Sequence, residues 1–417
     1  MFQISTEDLK PTIQMLRKAA KPFLVIGTYG IGKSEMIFQS AIEEAEKNHK
    51  IFLDWNRTSK EIKKDAMLNP GKYHMFVDIR ISQMDEGDLR GIPVIGGVIN
   101  ADADNELKLV TLGWINYITK PEASGTVFFD ELNLARPSVT ASAYSIINDR
   151  VISDRAISKD VFIIAAGNKE SDCDLVQPIP DPLMDRFAMA ELKFSSKAWL
   201  EWATANINPY LFAFCKWKPD GIHKPMQGEK SVTPRGIYNA SCALQNVDFN
   251  KEKDVYKAIA LCVGEGFAME FLAYYKHVRA LDWEALEKDP TLVEDYDTEK
   301  QYAVMGSAVA KIKIAANEEW TDIGTFLSSI VAPLTVVAYL PSDFVMATIK
   351  QFVTLKVNIK DKNNSANITL ANILCKLMLF GAKKFKEATS FSKESIAKMD
   401  ALQKVFNAKH AKIFSKI

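Results

Sequence analysis

Three observations predict an α/β fold, in which a doubly wound parallel sheet is followed by a helical region. The stretch Gly27-Thr28-Tyr29-Gly30-Ile31-Gly32-Lys33-Ser34 fits the Gly-x-x-x-x-Gly-Lys-[Ser/Thr] loop that wraps nucleotide phosphates. It stands between an apolar run at 23–26, rich in strand formers, and a stretch at 35–47 that lacks Gly and Pro and reads as a helix. Up to about residue 193 apolar runs keep alternating with helical segments, and after Phe194 strand signals mostly vanish.

In chain order the strand candidates are 23–26, 75–81, 126–129, 161–166 and 189–194. Several are nearly continuous in Val, Ile and Phe, as expected of parallel strands buried on both faces. The segment at 196–206 opens as a helix, with Ser195 or Ser196 as cap and Trp199, Leu200 and Trp202 as apolar positions. A Pro- and Gly-bearing loop follows at 219–228, and helices resume from Thr233. The acidic stretch 283–299, with Asp289-Pro290, reads as a joint. Helical patterns then run to the end, broken by Pro333, Pro341 and a polar loop at 361–365. The expected organisation is a nucleotide-binding core at 1–193, an α-helical lid at 194–285 and an α-helical C-terminal extension at 286–417.

The bulk properties narrow the function classes. Lys+Arg and Asp+Glu cancel at 52 each, so no global field recruits nucleic acid or a membrane surface. The five cysteines (Cys173, Cys215, Cys242, Cys262 and Cys375) are odd in number and scattered, which suits a reduced, cytosolic setting. The five histidines are equally dispersed and show no metal-ligand spacing. The N-terminus lacks a basic region followed by an apolar core, and no later run is long enough to span a bilayer. A soluble, cytoplasmic protein with no membrane partner is expected.

The chemistry concentrates in a few places. Backbone amides of residues 27–34, at a helix N-terminus, can close around β- and γ-phosphate oxygens, with Lys33 adding a point charge and the Ser34 hydroxyl going to Mg²⁺. The apolar run Val127-Phe128-Phe129 ends in Asp130-Glu131. There Asp130 would hold Mg²⁺ through water and Glu131 would polarise the attacking water. Asn168, at the tip of the run 161–167, fits either a turn residue or an amide that orients that water. Arg186, in Asp185-Arg186-Phe187, fits a surface ion pair or a cation reaching a γ-phosphate in a neighbouring subunit. Arg235, after Thr233-Pro234 at a helix start, fits a solvated first-turn residue or a cation folded back over the phosphates.

Taken in this order, these elements resemble the AAA+ ATPases, and the MoxR-like branch in particular, from about residue 23 to about residue 290. The likeness includes Asp88-Leu89-Arg90-Gly91, similar to that branch's Asp-Leu-x-Gly, and Asp130-Glu131-Leu132-Asn133-Leu134-Ala135, similar to its Asp-Glu-Ile-Asn-Arg-Ala. The resemblance implies that Asn168 is sensor 1, Arg186 a trans-acting arginine finger and Arg235 a cis-acting sensor 2. It places a helix-2 insert hairpin within 91–113 and a pre-sensor-1 hairpin within 150–160. It further implies hexameric rings and a partner bearing a von Willebrand A domain. Leu134 departs from the family's frequent Arg, so that a second trans-acting Arg would be Arg136, Arg150 or Arg155. The segment 51–72 looks like an insertion before the second strand.

The function expected is therefore Mg²⁺-dependent ATP hydrolysis by a ring-shaped oligomer that remodels a protein partner. The alternative is a DNA-directed AAA+ motor or loader, disfavoured by the zero net charge. The C-terminal stretch 383–417, with nine Lys and a stripe of Ile396, Met399, Leu402 and Phe406, reads as a terminal helix packed on its own domain. A basic face for an acidic partner or nucleic acid is the other reading of that stretch.

Overall fold

The computed structural model describes residues 1–94, 108–152, 155–172, 176–225, 230–320, 323–353, 355–359, 369–370, 374 and 393–410. The chain divides into two compact units, Met1–Ser195 and Ser196–Ile417.

The first unit is built on one sheet. Strands β1 (Gln3–Ser5), β2 (Phe23–Gly27), β3 (Ile51–Asp54), β4 (Tyr73–Arg80), β5 (Ser124–Asp130), β6 (Val161–Gly167) and β7 (Ala188–Lys193) lie in the order β1-β7-β2-β6-β5-β4-β3. Every pair is parallel, so all strands deliver their C-terminal ends to the same edge. The doubly wound α/β class read from the sequence is the class observed.

The two faces follow from the period of two. Phe23, Val25, Phe128, Phe162 and Ile164 pack with Leu9 and Ile13 of α1 (Thr6–Lys18) and Ile37 of α2 (Lys33–Lys47). Leu24, Val127, Phe129, Ile163 and Ala165 point the other way, onto Trp114, Ile115 and Ile118. Helix α1 starts where it does because Ser5 and Asp8 form a reciprocal capping box, Asp8 N donating to Ser5 Oγ at 3.2 Å.

Strands β1 and β3 were not among the sequence candidates. They have 3 and 4 residues, and each buries a single side chain, Ile4 or Leu53, which leaves no alternation to read. The segment 51–72 supplies β3, the helix Lys60–Leu68 and the turn Pro70–Lys72 that leads into β4. Within 91–113, Ile92–Val94 pairs antiparallel with Lys108–Val110, and residues 95–107 lie outside the described residues. Within 150–160, Val151–Ile152 pairs antiparallel with Arg155–Ala156.

The second unit is helical. Helix Pro209–Trp217 begins on an Asn208 cap, whose Oδ1 accepts from Tyr210 N at 3.0 Å, with Pro209 supplying the fixed φ of the first helical position. Its Phe214 meets Phe267 and Phe271 edge-on, with centroids 5.2 and 5.6 Å apart. Helix Thr298–Asn317 crosses it closely at Gly306, where a Cβ would come within 2.9 Å of Ala213 Cβ. Residues 283–299 fold as the helix Trp283–Lys288 and the turn Pro290–Asp295, and bury Leu286 and Val293.

Trp199 is buried as expected, but Trp202 is 41% exposed, which corrects its reading as an apolar core position; it lies 5.7 Å from the exposed Tyr238 ring. The terminal helix Lys393–His410 turns Met399, Leu402 and Phe406 inward and packs on Ile323–Ala338. His410 seats it, with Nδ1 3.0 Å from Ser342 Oγ and Nε2 2.8 Å from Ala338 O. The rest of the basic stretch 383–417, and the loop 361–365, lie outside the described residues. Cys215, Cys242 and Cys262 are free thiols, while Cys173 and Cys375 lie outside the described residues. Among the described residues no helix is long and apolar enough to cross a membrane.

Candidate active site

The loop 27–34 joins β2 to α2 on the edge where all strands end. Its turn needs two left-handed residues, Gly30 at φ 73° and Gly32 at φ 92°. Gly32 is also the N-cap of α2 and brings no capping side chain, so the first-turn amides have no side-chain acceptor. Ile31 is buried and anchors the loop from below, Thr28 is buried, and Tyr29 is half-buried. Lys33 is only 8% exposed; its Nζ donates to Gly27 O at 2.6 Å, Thr28 O at 2.9 Å and Asn168 Oδ1 at 3.2 Å. The ammonium thus lies across the mouth of its own loop.

The carboxylates arrive from the tip of β5. Asp130 Oδ2 accepts from Ser34 Oγ at 2.9 Å, which joins the helix start to a strand two places away. Its Oδ1 accepts from Glu131 N at 2.9 Å. Glu131 itself sits at φ 57°, a left-handed conformation that costs a non-glycine residue about 1 kcal/mol or more and often marks a functional site. There the Glu131 carboxylate accepts from Ser82 Oγ at 3.0 Å. Ser82 lies in the turn Ile81–Gln83 after β4, and no spacing in the sequence singles it out.

Half-buried Asp78, on β4, completes the acidic edge. Its Oδ1 is buried without a hydrogen-bond partner. Burial, reinforced by the charge of Asp130, pushes its carboxyl up to about 6. A cleft of about 620 Å³ opens beside it, lined by Ser34, Glu35, Asp54 and Arg80 among others. Ser34 Oγ and Asp130 Oδ2 are hard oxygen donors side by side, and they fit a Mg²⁺ ion whose remaining ligands are phosphate and water. Among the described residues no group of three or more His, Cys, Asp or Glu could hold a metal alone.

Asn168 is held from behind. Asn133 Nδ2 donates to Asn168 O at 2.7 Å, and Asn168 N donates to Asn133 Oδ1 at 3.0 Å. Gly167 permits this approach, since a Cβ there would lie 2.7 Å from Ile26 Cδ1 and 3.0 Å from Asn133 Oδ1. Residues 27–34, Asp130, Glu131 and Asn168 therefore converge on one edge of the first unit. Arg186 is exposed in the turn between the helix Asp181–Met184 and β7. Arg235 belongs to the second unit, exposed in the first turn of the helix Pro234–Leu244, whose cap Thr233 accepts from Gly236 N at 3.0 Å.

The other three arginines separate. Arg150 Nη2 donates to Ser158 O and Val161 O, each at 2.7 Å, and Arg155 donates to Asn116 Oδ1 and Thr111 Oγ1, each at 2.7 Å. Both are committed to their own unit. Arg136 is 81% exposed, with a loose pairing to Asp85 at 3.9 Å.

No protein-family model matches the chain, and no curated protein matches it. Solved structures similar to it include PCH-2 of C. elegans, at 13% identity over 71% of this chain and 66% of that one, with a TM-score of 0.26. NtrX of Brucella abortus in complex with ADP is 13% identical over 72% of this chain and 62% of that one, with a TM-score of 0.29. A mutant RuvB of Thermotoga maritima is 13% identical over 72% of this chain and 86% of that one, with a TM-score of 0.31. The matches span 66% and 62% of the PCH-2 and NtrX chains, under two thirds of each. Likenesses this weak leave the chain's own residues as the ground for assigning function.

Proposed function

We propose that the chain is a Mg²⁺-dependent ATPase of the AAA+ type, and that it works as a ring, a hexamer by its MoxR-like resemblance, to remodel a protein partner. The observation that carries this reading is the meeting of three groups at one edge. Lys33 lies in the loop mouth, Ser34 bonds Asp130 at 2.9 Å, and Glu131, the next residue, donates its N–H to the same Asp130 at 2.9 Å.

Each residue has a task that its position supports. The uncapped amides of α2 and the Lys33 ammonium bind the β- and γ-phosphates, with Lys33 exchanging its loop carbonyls for phosphate oxygens. Mg²⁺, when bound, neutralises charge on those phosphates, with Ser34 and Asp130 as the residues that hold it. Glu131 takes a proton from the attacking water, and Asn168 orients that water by its amide. Arg186 of a neighbouring subunit offsets the charge that builds in the transition state. The resemblance gives Arg235 a role at the phosphates too, with 194–285 as a lid and 286–417 as an extension. By the same resemblance the ring acts on a protein client or with a partner that bears a von Willebrand A domain; the scattered cysteines suit a cytoplasmic setting.

The test is ATP turnover together with nucleotide binding. Lys33→Ala should lose both, whereas Glu131→Gln should keep ATP bound and lose turnover by about a hundredfold or more. A Glu131→Gln chain that hydrolyses ATP at the wild-type rate would overturn the assignment. Arg235→Ala, read in the same assay, tests its role at the phosphates. Turnover stimulated by DNA with a steep salt dependence would point instead to a nucleic-acid motor.

A further inference from the structure

The opposite edge of the sheet carries a second cleft, which the proposed hydrolysis does not use. It encloses about 520 Å³ where β4, β5 and β6 begin, beside the last turns of α1 and α2. A strand length of roughly 20 Å separates it from the phosphate loop. Arg17, Lys18, Lys47, Lys50 and Lys159 line it, against only Glu44 and Asp160.

Arg17 is the informative member. Its guanidinium lies over the Phe162 ring at 4.8 Å, and Nη2 donates to Thr126 Oγ1 at 2.9 Å. Its Nε and Nη1 are buried with no hydrogen-bond partner, although Glu44 lines the same cleft. Burial pulls this guanidinium down to about 10, so the cation is held where it lacks solvation. Beside it, Lys50 Nζ donates to Ser124 Oγ at 2.8 Å, a neutral partner that leaves its charge uncompensated. His74, on the floor, faces the Thr126 hydroxyl at 3.5 Å. Burial first, and then the charges of Arg17 and Lys50, push its imidazole down to about 3, as expected of a positive potential.

We propose that this cleft is an oxyanion site for a small phosphate-bearing ligand, gripped by Arg17 and Lys50, with Lys18, Lys47 and Lys159 at its rim. Five cations against two carboxylates leave an excess of three positive charges, which favours a dianion over a single carboxylate. The planar guanidinium, with two nitrogens lacking acceptors, suits the paired oxygens of a phosphate. The enclosed volume accepts free phosphate or the phosphate of a small ester.

Calorimetric titration of the full chain tests this, with inorganic phosphate and ribose 5-phosphate as probes. Because phosphate also suits the loop 27–34, Lys33→Ala is titrated beside the wild type and a Lys47→Ser/Lys50→Ser double variant. Saturable binding at about millimolar Kd or tighter is expected, retained in Lys33→Ala and weakened about tenfold or more in the double variant. Arg17→Met should weaken it further, and the lysine pair decides the matter if that variant fails to fold. Tighter binding of ribose 5-phosphate assigns an ester; equal binding assigns free phosphate. The proposal is overturned by phosphate binding that vanishes in Lys33→Ala and is untouched in the lysine variant, by the absence of saturation, or by an oligonucleotide that binds the cleft where phosphate does not.

Discussion

The side-chain amide of Asn133 and the backbone of Asn168 exchange two hydrogen bonds, at 2.7 and 3.0 Å, and so continue the strand pairing of β6 with a side chain. This fixes the backbone from which the Asn168 amide reaches Lys33 at 3.2 Å. Asn133→Leu keeps the branched outline but leaves the Asn168 N–H without its acceptor, a loss of about 1–3 kcal/mol. Turnover should fall by as much as about a hundredfold through misplacement of Asn168, with ATP affinity within a few fold of wild type. Denaturant midpoints and kcat measured on the same preparations check both. Unchanged kcat in a destabilised variant would reduce Asn133 to a packing role.

Ser82 Oγ donates to the Glu131 carboxylate at 3.0 Å. Glu131→Gln removes the proton acceptor, whereas Ser82→Ala only releases it from this hydrogen bond. Release should therefore raise basal turnover, by up to about tenfold, the equivalent of one hydrogen bond of about 1.4 kcal/mol. A steady-state ATPase assay separates the two variants. A fall in Ser82→Ala turnover as deep as that of Glu131→Gln would mean that Ser82 orients the acceptor for reaction instead of restraining it.

His74 makes the fold sensitive to acid. Its folded value near 3 lies below the ordinary 6.5, so the neutral ring is what the fold accommodates. The stabilisation is complete above about pH 6.5 and is lost as pH falls toward 3, because the unfolded chain takes up the proton first. Between pH 7.5 and 4.5 this single group should remove about 2 kcal/mol. Urea midpoints of His74→Gln should show a flatter decline across that window than those of the wild type.

Asp78 acts in the opposite sense. Its folded value near 6 lies above the ordinary 3.8, so its ionised form is the one the fold disfavours. The handicap is absent below about pH 4 and complete above about pH 6. Asp78→Asn should stabilise the metal-free chain at pH 7.5 by on the order of 1 kcal/mol, a figure reduced for partial exposure to solvent, and should be neutral at pH 4. Adding Mg²⁺ should narrow the difference at pH 7.5, because a cation beside Asp130 offsets the charge of Asp78. Thermal melts with and without Mg²⁺ at the two pH values read this directly.

What the sequence made legible was what is contiguous in it. The loop 27–34 is an unbroken run, and Asp130-Glu131 closes an apolar strand, so their chemistry could be read without knowing how the strands pair. Strands β2, β4, β5 and β6 were legible because both faces are buried, and β7 because Ala190 and Leu192 alternate on one face, whereas edge strands β1 and β3 each bury one side chain and give no pattern. Ser82 reaches Glu131, and Asn133 reaches Asn168, only because β4, β5 and β6 lie side by side, a fact of topology that spacing does not carry. Trp202 looked like core because it is aromatic, yet an aromatic pair with Tyr238 at the surface satisfies it as well. The basic cleft at the far edge was invisible for the same reason as Ser82, since Arg17, Lys50 and Lys159 are spread over the chain and meet only in the fold.

Arg186 is exposed in the turn that enters β7, at the edge where the strands begin. If it completes the neighbour's site, Arg186→Ala should bind ATP normally and lose turnover by about a thousandfold or more. Mixing then separates a shared site from a private one. An Arg186→Ala subunit keeps Glu131 but lacks the cation for its neighbour, and a Glu131→Gln subunit is its complement. In a closed ring assembled at random from equal amounts, about a quarter of the interfaces unite an intact Glu131 with an intact Arg186, so activity should recover toward that fraction of wild type. Arg136, the exposed one of the three remaining candidates, provides the control: if Arg136→Ala complements Glu131→Gln and Arg186→Ala does not, the trans-acting cation is Arg136.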